Sequence, residues 1–190
     1  MVTTPQYLTV EDYLAYDDGT DRQYELVAGE LNAMPPESRR NSRIALIILN
    51  ALMALLPPER LCCKDTEIEV TGVQATIRLP DLMVLSEALV SLLENQPRSI
   101  IRQAMPSPLL VVEVVSPGKA AEDRDYRYKR SEYGARGIPE YWVVDPIRAQ
   151  VLVLTWVDGF YEEAVYTPGD TVQSSTIPGL ALAVNAILGR

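Results

Sequence analysis

The run Leu109–Ser116, LLVVEVVS, sets a glutamate inside an otherwise aliphatic stretch. It is too short to span a membrane and reads as a strand covered on both faces. Glu113 at its centre constrains whatever packs around it. A carboxylate there must be paired, protonated or bound to a cation. A second acid opens a second apolar run, since Asp81 follows Pro80 and precedes Leu82–Leu85. After the Pro117-Gly118 turn comes a polar helical segment, Ala120–Arg136. On it Glu122, Tyr126, Lys129 and Tyr133 recur at helical spacing and share one face, with Asp125 one turn before Lys129.

The remaining chain supplies the frame. The pattern predicts a short helix over Leu8–Asp17, with Thr9 and Asp12 as a capping box. YELVAGEL predicts a hairpin, Tyr24–Val27 with Glu30–Met34, about Ala28-Gly29. Glu25 and Glu30 there read as solvated hairpin carboxylates as readily as functional ones. After Pro35-Pro36, Ser38 caps a core helix to Leu56 with Ile44, Ile47, Ile48, Ala51, Leu52 and Leu55 as its apolar stripe. Arg39, Arg40 and Arg43 crowd the helix end that disfavours cations. They are either surface charge or a patch for phosphate. Strands are expected over Leu61–Val70, Val73–Leu79 and Asp81–Leu85, then a helix capped by Ser86 through Leu93. Glu94–Pro108 reads as a surface loop or a mobile lid. Ile138–Asp145 is a central strand with Trp142 in the core and Glu140 and Asp145 at its ends. Val151–Val157 and Phe160–Tyr166 form a hairpin about Asp158-Gly159. Extended pieces near Thr171–Val172 and Leu180–Val184 precede a last turn before Arg190. A chain of 190 residues without repeat or linker is expected to form one domain, 1–190.

Composition removes several chemistries. The chain has no histidine, which excludes Ser-His-Asp and Cys-His nucleophiles and HExxH zinc hydrolysis. Cys62 and Cys63 are adjacent and point to opposite faces of a strand, so they read as packing thiols in a reducing compartment. The formal charge of −9 argues against broad nonspecific nucleic-acid binding, while leaving room for a local basic patch. No apolar stretch suits a membrane span, and MVTTPQYLTVEDY lacks a secretory signal. A cytoplasmic protein without membrane contact is expected.

Carboxylates on neighbouring strands suit a hard divalent ion, magnesium or manganese, and a nearby lysine suits the charge that develops on a phosphate. Other readings stand beside this one. Glu113 fits a structural ion pair or a solvated sheet edge, and Lys129 fits a snorkelling position on an amphipathic helix. Ser116 caps the following helix or marks its turn. Lys119 and Arg124 add positive potential near the same strand end.

Taken in order, LTVEDYL, YELVAGEL, PD, LLVVEVVSP, the D-x-x-x-K-x-x-x-Y segment Asp125–Tyr133 and GIPEYWVVDP resemble the Uma2 family. That family is similar to restriction endonucleases of the PD-(D/E)xK superfamily. The resemblance covers nearly the whole chain. It implies an α/β (mixed α+β) fold with a restriction endonuclease-like core, a central mixed β-sheet flanked by helices. It further implies a magnesium-dependent DNA endonuclease, often homodimeric, with manganese as a second usable ion. Asp81 matches the acid of PD and Glu113 the second acid, both as metal ligands. Val115 stands where the superfamily has lysine, and Lys129 takes that part from the helix. Glu25 matches an early acid that assists the metal. Asn41 stands where the family often has histidine. Arg39, Arg40, Asn41, Arg43, Ser116, Lys119 and Tyr133 are the expected substrate contacts. The alternative is a catalytically inactive nuclease fold that binds nucleic acid or protein. A carboxylate enzyme acting on a small phosphorylated substrate is a third reading.

Overall fold

The computed structural model describes residues 7–70, 72 and 74–189. Helix α1 (Val10–Leu14) starts on the expected capping box. Thr9 Oγ1 accepts from the Asp12 N–H at 3.1 Å, and Asp12 Oδ2 accepts from the Thr9 N–H at 2.9 Å. Strands β1 (Tyr24–Val27) and β2 (Glu30–Ala33) form the hairpin. Its turn places Ala28 at φ 50° and Gly29 at φ 80°, the double left-handed conformation that matches strand twist. Ser38 Oγ accepts from the Asn41 N–H at 3.1 Å and starts α2 (Arg39–Met53). The helix buries Ile44, Ala45, Ile48 and Leu52 and stops before Leu55, which is exposed. Each large side chain so buried contributes about 1.5–3 kcal/mol.

The single strand expected over Leu61–Val70 is two strands in different sheets, β3 (Leu61–Cys62) and β4 (Glu67–Val70). The break lies at Lys64, whose φ is 56°, and at Asp65, whose Oδ1 accepts from the Cys63 N–H at 3.0 Å. A left-handed residue, with the Asp65 carboxylate reaching back to the Cys63 N–H, ends one ladder and redirects the chain to the other. The same crossing recurs between β5 (Thr76–Arg78) and β6 (Leu82–Val84), at Leu79-Pro80. Pro80 has no N–H to offer either ladder. The start of the expected Val73–Leu79 strand, with Thr71, lies outside the described residues.

Ser86 caps α3 (Glu87–Leu93). The stretch expected as a loose loop or lid is fastened instead. It contains β7 (Ile100–Ile101), parallel to β4. Arg98 makes two 2.7 Å bonds to Glu67, and Arg102 bonds Glu69 at 2.9 Å. These partners are the charged residues of β4, whose pattern alone had no reason to predict them. Strand β8 (Leu110–Val114) leads through Gly118 into α4 (Lys119–Asp123), a π-helical turn (Arg124–Tyr128) and α5 (Lys129–Ala135). Then β9 (Glu140–Asp145) runs parallel to β8, and β10 (Gln150–Val157) and β11 (Phe160–Tyr166) form the expected hairpin. Strands β12 (Thr171–Gln173) and β13 (Ala181–Ala183) pair before α6 (Val184–Leu188).

Among the described residues the main sheets have the orders β2-β1-β5-β4-β7 and β11-β10-β9-β8-β6-β3. Strands β6, β8 and β9 of the second sheet are buried on both sides, as their near-continuous apolar runs require, while β11 at its edge is largely exposed. Leu82, Val84, Leu110, Val112, Val114, Trp142 and Val144 meet α2 and α6 on one face. Met83, Leu85, Val111, Val115, Tyr141 and Val143 meet Ile68, Val70, Ile101 and Tyr133 on the other. Glu113 has the parity of Val111 and Val115, so it points into the second layer, towards α5.

Candidate active site

Pairing of β6 with β8 brings the two acids together. The antiparallel register is Leu82↔Val112, Met83↔Val111 and Val84↔Leu110. Continued by one residue, it sets Asp81 opposite Glu113. Directly opposed residues on one face have Cβ atoms about 4.5–5.5 Å apart. Asp81 Oδ2 also accepts from the Val114 N–H at 2.6 Å, which pins its carboxylate to the end of β8. Asp81, Glu113, Glu25, Lys129, Arg78, Arg124, Lys64 and Ser116 line one cavity of about 330 Å³.

Glu113 is almost wholly buried. Its Oε1 meets Lys129 Nζ at 2.6 Å and accepts from the Tyr133 hydroxyl at 2.8 Å. Its Oε2 has no hydrogen-bond partner among the described residues. Burial pushes the Glu113 carboxyl up to about 7; Lys129 opposes the rise, and Asp81, Asp125 and Glu25 add to it. Burial works against the Lys129 ammonium too, but Glu113, Glu25 and Asp125 outweigh it and hold the amine above its ordinary value. Lys129 therefore stays charged. Burial and Glu113 hold Tyr133 well above the usual phenol range, so it remains a donor.

The π-helical turn explains how Lys129 reaches the site. A wider turn over Arg124–Tyr128 inserts rotation just before Lys129. The face expected to unite Glu122, Tyr126, Lys129 and Tyr133 is split in two. Asp125, Lys129 and Tyr133 turn inward and are buried. Tyr126 donates to Asp145 Oδ2 at 3.0 Å, and Glu122 pairs with Arg148 on the outer side. Lys129 Nζ lies 3.8 Å from Asp125 Oδ1 and 3.7 Å from Glu25 Oε1.

Glu25 is a buried, fully engaged residue and not a solvated hairpin carboxylate. Its Oε2 receives Arg78 at 3.0 Å and its Oε1 the Leu79 N–H at 3.1 Å. Burial resists its ionisation, yet Lys129 and Arg78 outweigh that and hold its carboxyl below the ordinary value. Arg78 in turn makes two 2.7 Å bonds to Glu132. Glu30 is exposed.

Other expected substrate contacts are distributed unevenly. Ser116 borders the cavity and meets Asn41 Nδ2 at 3.2 Å. Asn41 is buried behind β8, with its amide 3.4 Å from the carbonyls of Val114 and Val115, so it braces the strand from the side away from Glu113. Lys119 lies at a neighbouring hollow, and its ammonium stands 3.4 Å from Asp123. Arg39, Arg40 and Arg43 do not line the cavity. Arg40 donates to the Pro146 carbonyl at 2.8 Å, and Arg43 packs against Gly189. Arg78, Lys64 and Glu132 were not legible as site residues. Arg78 sits in an unremarkable TIR triplet and Lys64 in a turn, and their partners, Glu25 and Glu132 for the one and Glu37 and Asp81 for the other, are brought to them only by the tertiary fold.

Six carboxylates, Glu25, Glu37, Asp81, Glu113, Asp125 and Glu132, face four cations, Lys64, Arg78, Arg124 and Lys129. With Glu113 ionised the formal excess is two negative charges, the charge of one divalent ion. Among the described residues no three Asp, Glu, Cys or His side chains converge as a ligand cage. The available donors are the paired oxygens of Asp81 and Glu113. A set of one or two carboxylates, completed by water and phosphate, is the manner in which magnesium is commonly held, so the residues fit such an ion.

A family described as "Uma2: Putative restriction endonuclease" matches residues 10–185. No curated protein matches the chain. A solved structure, described as the crystal structure of a putative nuclease belonging to DUF820 from Anabaena variabilis, is similar with a TM-score of 0.70 and 16% identity. The match covers 96% of this chain and 98% of that one. At that identity the likeness is one of fold: mixed α/β, with sheets flanked by helices. No helix of the described residues is long and apolar enough to cross a membrane.

Proposed function

The chain belongs to the Uma2 family, and on that premise we propose that it is a divalent-metal-dependent DNA endonuclease that hydrolyses phosphodiester bonds with water. The observation that carries this reading is the meeting of Asp81, Glu113 and Lys129 at one cavity wall. Asp81 Oδ1 and Glu113 Oε2 are the oxygens to hold magnesium or manganese. When bound, such an ion lowers the pKa of a coordinated water and offsets charge on the phosphate.

The chain's own residues do the rest. Lys129 presents a permanent positive charge to the phosphate or its attacking water. Tyr133 and Lys129 together fix the Glu113 carboxylate, and the Val114 N–H fixes that of Asp81. Glu25 positions Lys129 and is itself held by Arg78 and the Leu79 N–H. Lys64, Arg124 and Lys129 border the cavity, but the carboxylates beside them leave it formally negative, so a polyanion there depends on the divalent ion to offset its charge. DNA in the cytoplasm is the proposed substrate, and a homodimer would set two such centres against two strands.

Cleavage of supercoiled, linear and single-stranded DNA, and of RNA, with Mg²⁺, Mn²⁺ or EDTA tests the proposal. Asp81→Asn and Lys129→Met should each lower metal-dependent DNA cleavage by about 10²–10³-fold or more. Equal cleavage by wild type and both variants would refute it. One observation favours a second reading, a DNA-binding protein without turnover: Lys64 Nζ lies 2.9 Å from Asp81 Oδ1, already neutralising that acid. That reading predicts DNA binding with no metal-stimulated cleavage.

A further inference from the structure

Lys64 stands where β3 ends and the chain crosses towards β4. Its backbone is left-handed, φ 56°, a conformation that disfavours a side-chain-bearing residue. The turn is nevertheless fixed on both sides. Asp65 Oδ1 accepts from the Cys63 N–H at 3.0 Å, and the Lys64 carbonyl accepts from Gln23 Nε2 at 3.2 Å. The result aims the ammonium between Glu37 and Asp81 Oδ1, the latter at 2.9 Å. Lys64 thereby borders the cavity of Glu113 and Lys129, and also an apolar hollow along α2 formed by Ala45, Leu46 and Leu49.

The two oxygens of Asp81 have different duties. Oδ2 is committed to the Val114 N–H. Oδ1 is the oxygen that faces Lys64. A divalent ion at Asp81 and an ammonium on the same carboxylate repel each other in a partly desolvated cavity. We propose that Lys64 is a built-in cation that competes with the divalent ion for Asp81, so that metal entry requires the ammonium to leave, and that the released ammonium is a contact for the phosphate of the substrate. The inference rests on the metal-dependent reading above. It assigns Lys64 the coupling between the two ligands. Metal alone meets a competitor, while metal with a polyanion beside it gives the ammonium a new partner. With about a quarter of its side chain exposed, Lys64 has solvent into which to move.

Mn²⁺ binding, followed by loss of the free-ion electron paramagnetic resonance signal, tests this without turnover. Wild type, Lys64→Met, Lys64→Arg and Asp81→Asn are compared, with and without a short phosphorothioate DNA duplex. Without DNA, Lys64→Met should bind Mn²⁺ about tenfold more tightly than wild type, and Lys64→Arg should stay near wild type because it keeps the charge. With DNA, wild-type affinity should rise by about the same factor and Lys64→Met should gain little. Thermal melts and far-ultraviolet dichroism establish that each variant is folded, and Lys64→Gln serves in place of Lys64→Met if that variant is not. Binding that depends on Asp81 but is equal or weaker in Lys64→Met overturns the role of Lys64 and leaves the metal centre standing. Binding unaffected by Asp81→Asn, or absent throughout, overturns both.

Discussion

Ionisation of the buried Glu113 carboxyl makes stability depend on pH in a window where this chain has no histidine to titrate. In the metal-free protein its carboxyl is raised from 4.5 to about 7 by burial, with Lys129 opposing. Below pH 4.5 both the folded and unfolded chains hold the proton, and the group costs nothing. Between 4.5 and 7 the unfolded chain has released it while the folded protein retains it. The folded state then binds more protons, so stability falls as pH rises. The full loss, reached above pH 7, is about 3 kcal/mol. For a chain of 190 residues that is a melting-temperature change on the order of 10 °C. Glu113→Gln cannot ionise and should lack the slope. Its absolute stability also reflects the lost partner of Lys129, so the informative quantity is how its difference from wild type changes with pH. In EDTA, Tm from pH 5 to 8 should fall more steeply for wild type than for the variant. The absence of histidine removes the usual titrating group from this window. Parallel curves for the two proteins would refute the reasoning.

Two further outcomes follow from other buried charges. Lys129→Met leaves Glu113, Glu25 and Asp125 without their shared ammonium and should cost about 3–5 kcal/mol at pH 8 in a denaturant titration, with a smaller loss at pH 5 where Glu113 is protonated. Glu140 is fully buried, and its carboxylate gathers the N–H groups of Ser175 and Thr176, the hydroxyls of Ser174, Ser175 and Thr176, and the Trp142 indole N–H. Glu140→Ala orphans three donors that cannot rotate away and should cost about 3–6 kcal/mol, read by the same titration, with Glu140→Gln costing less.

The parts of this molecule that local pattern controls were legible. The β10–β11 hairpin follows from Asp158-Gly159, α2 from Ser38 and its apolar stripe, and β8 from the aliphatic residues on both sides of Glu113. The convergence of Asp81 with Glu113 is a matter of strand parity, which sequence carries, and of register, which it does not. Four things were hidden for physical reasons. The breaks at Lys64 and Pro80 move the chain between sheets, and a change of sheet leaves no trace in alternation. The π-helical turn alters which residues share a face, so a reading at 3.6 residues per turn joined Tyr126 to Lys129 wrongly. Glu140 is the strand-end acid its pattern suggests, but its burial is not legible, because all its donors except the Trp142 indole come from a loop over thirty residues later. Likewise the segment Glu94–Pro108 looked free until Arg98 and Arg102 met the acids of β4.

The central claim is that acids on adjacent strands, Asp81 and Glu113, jointly hold a divalent ion beside Lys129. Crystals soaked in Mn²⁺ and measured at the manganese absorption edge test it most directly. The account predicts an anomalous peak bonded to carboxylate oxygens of both Asp81 and Glu113. An empty position between those two side chains at saturating Mn²⁺ would contradict it.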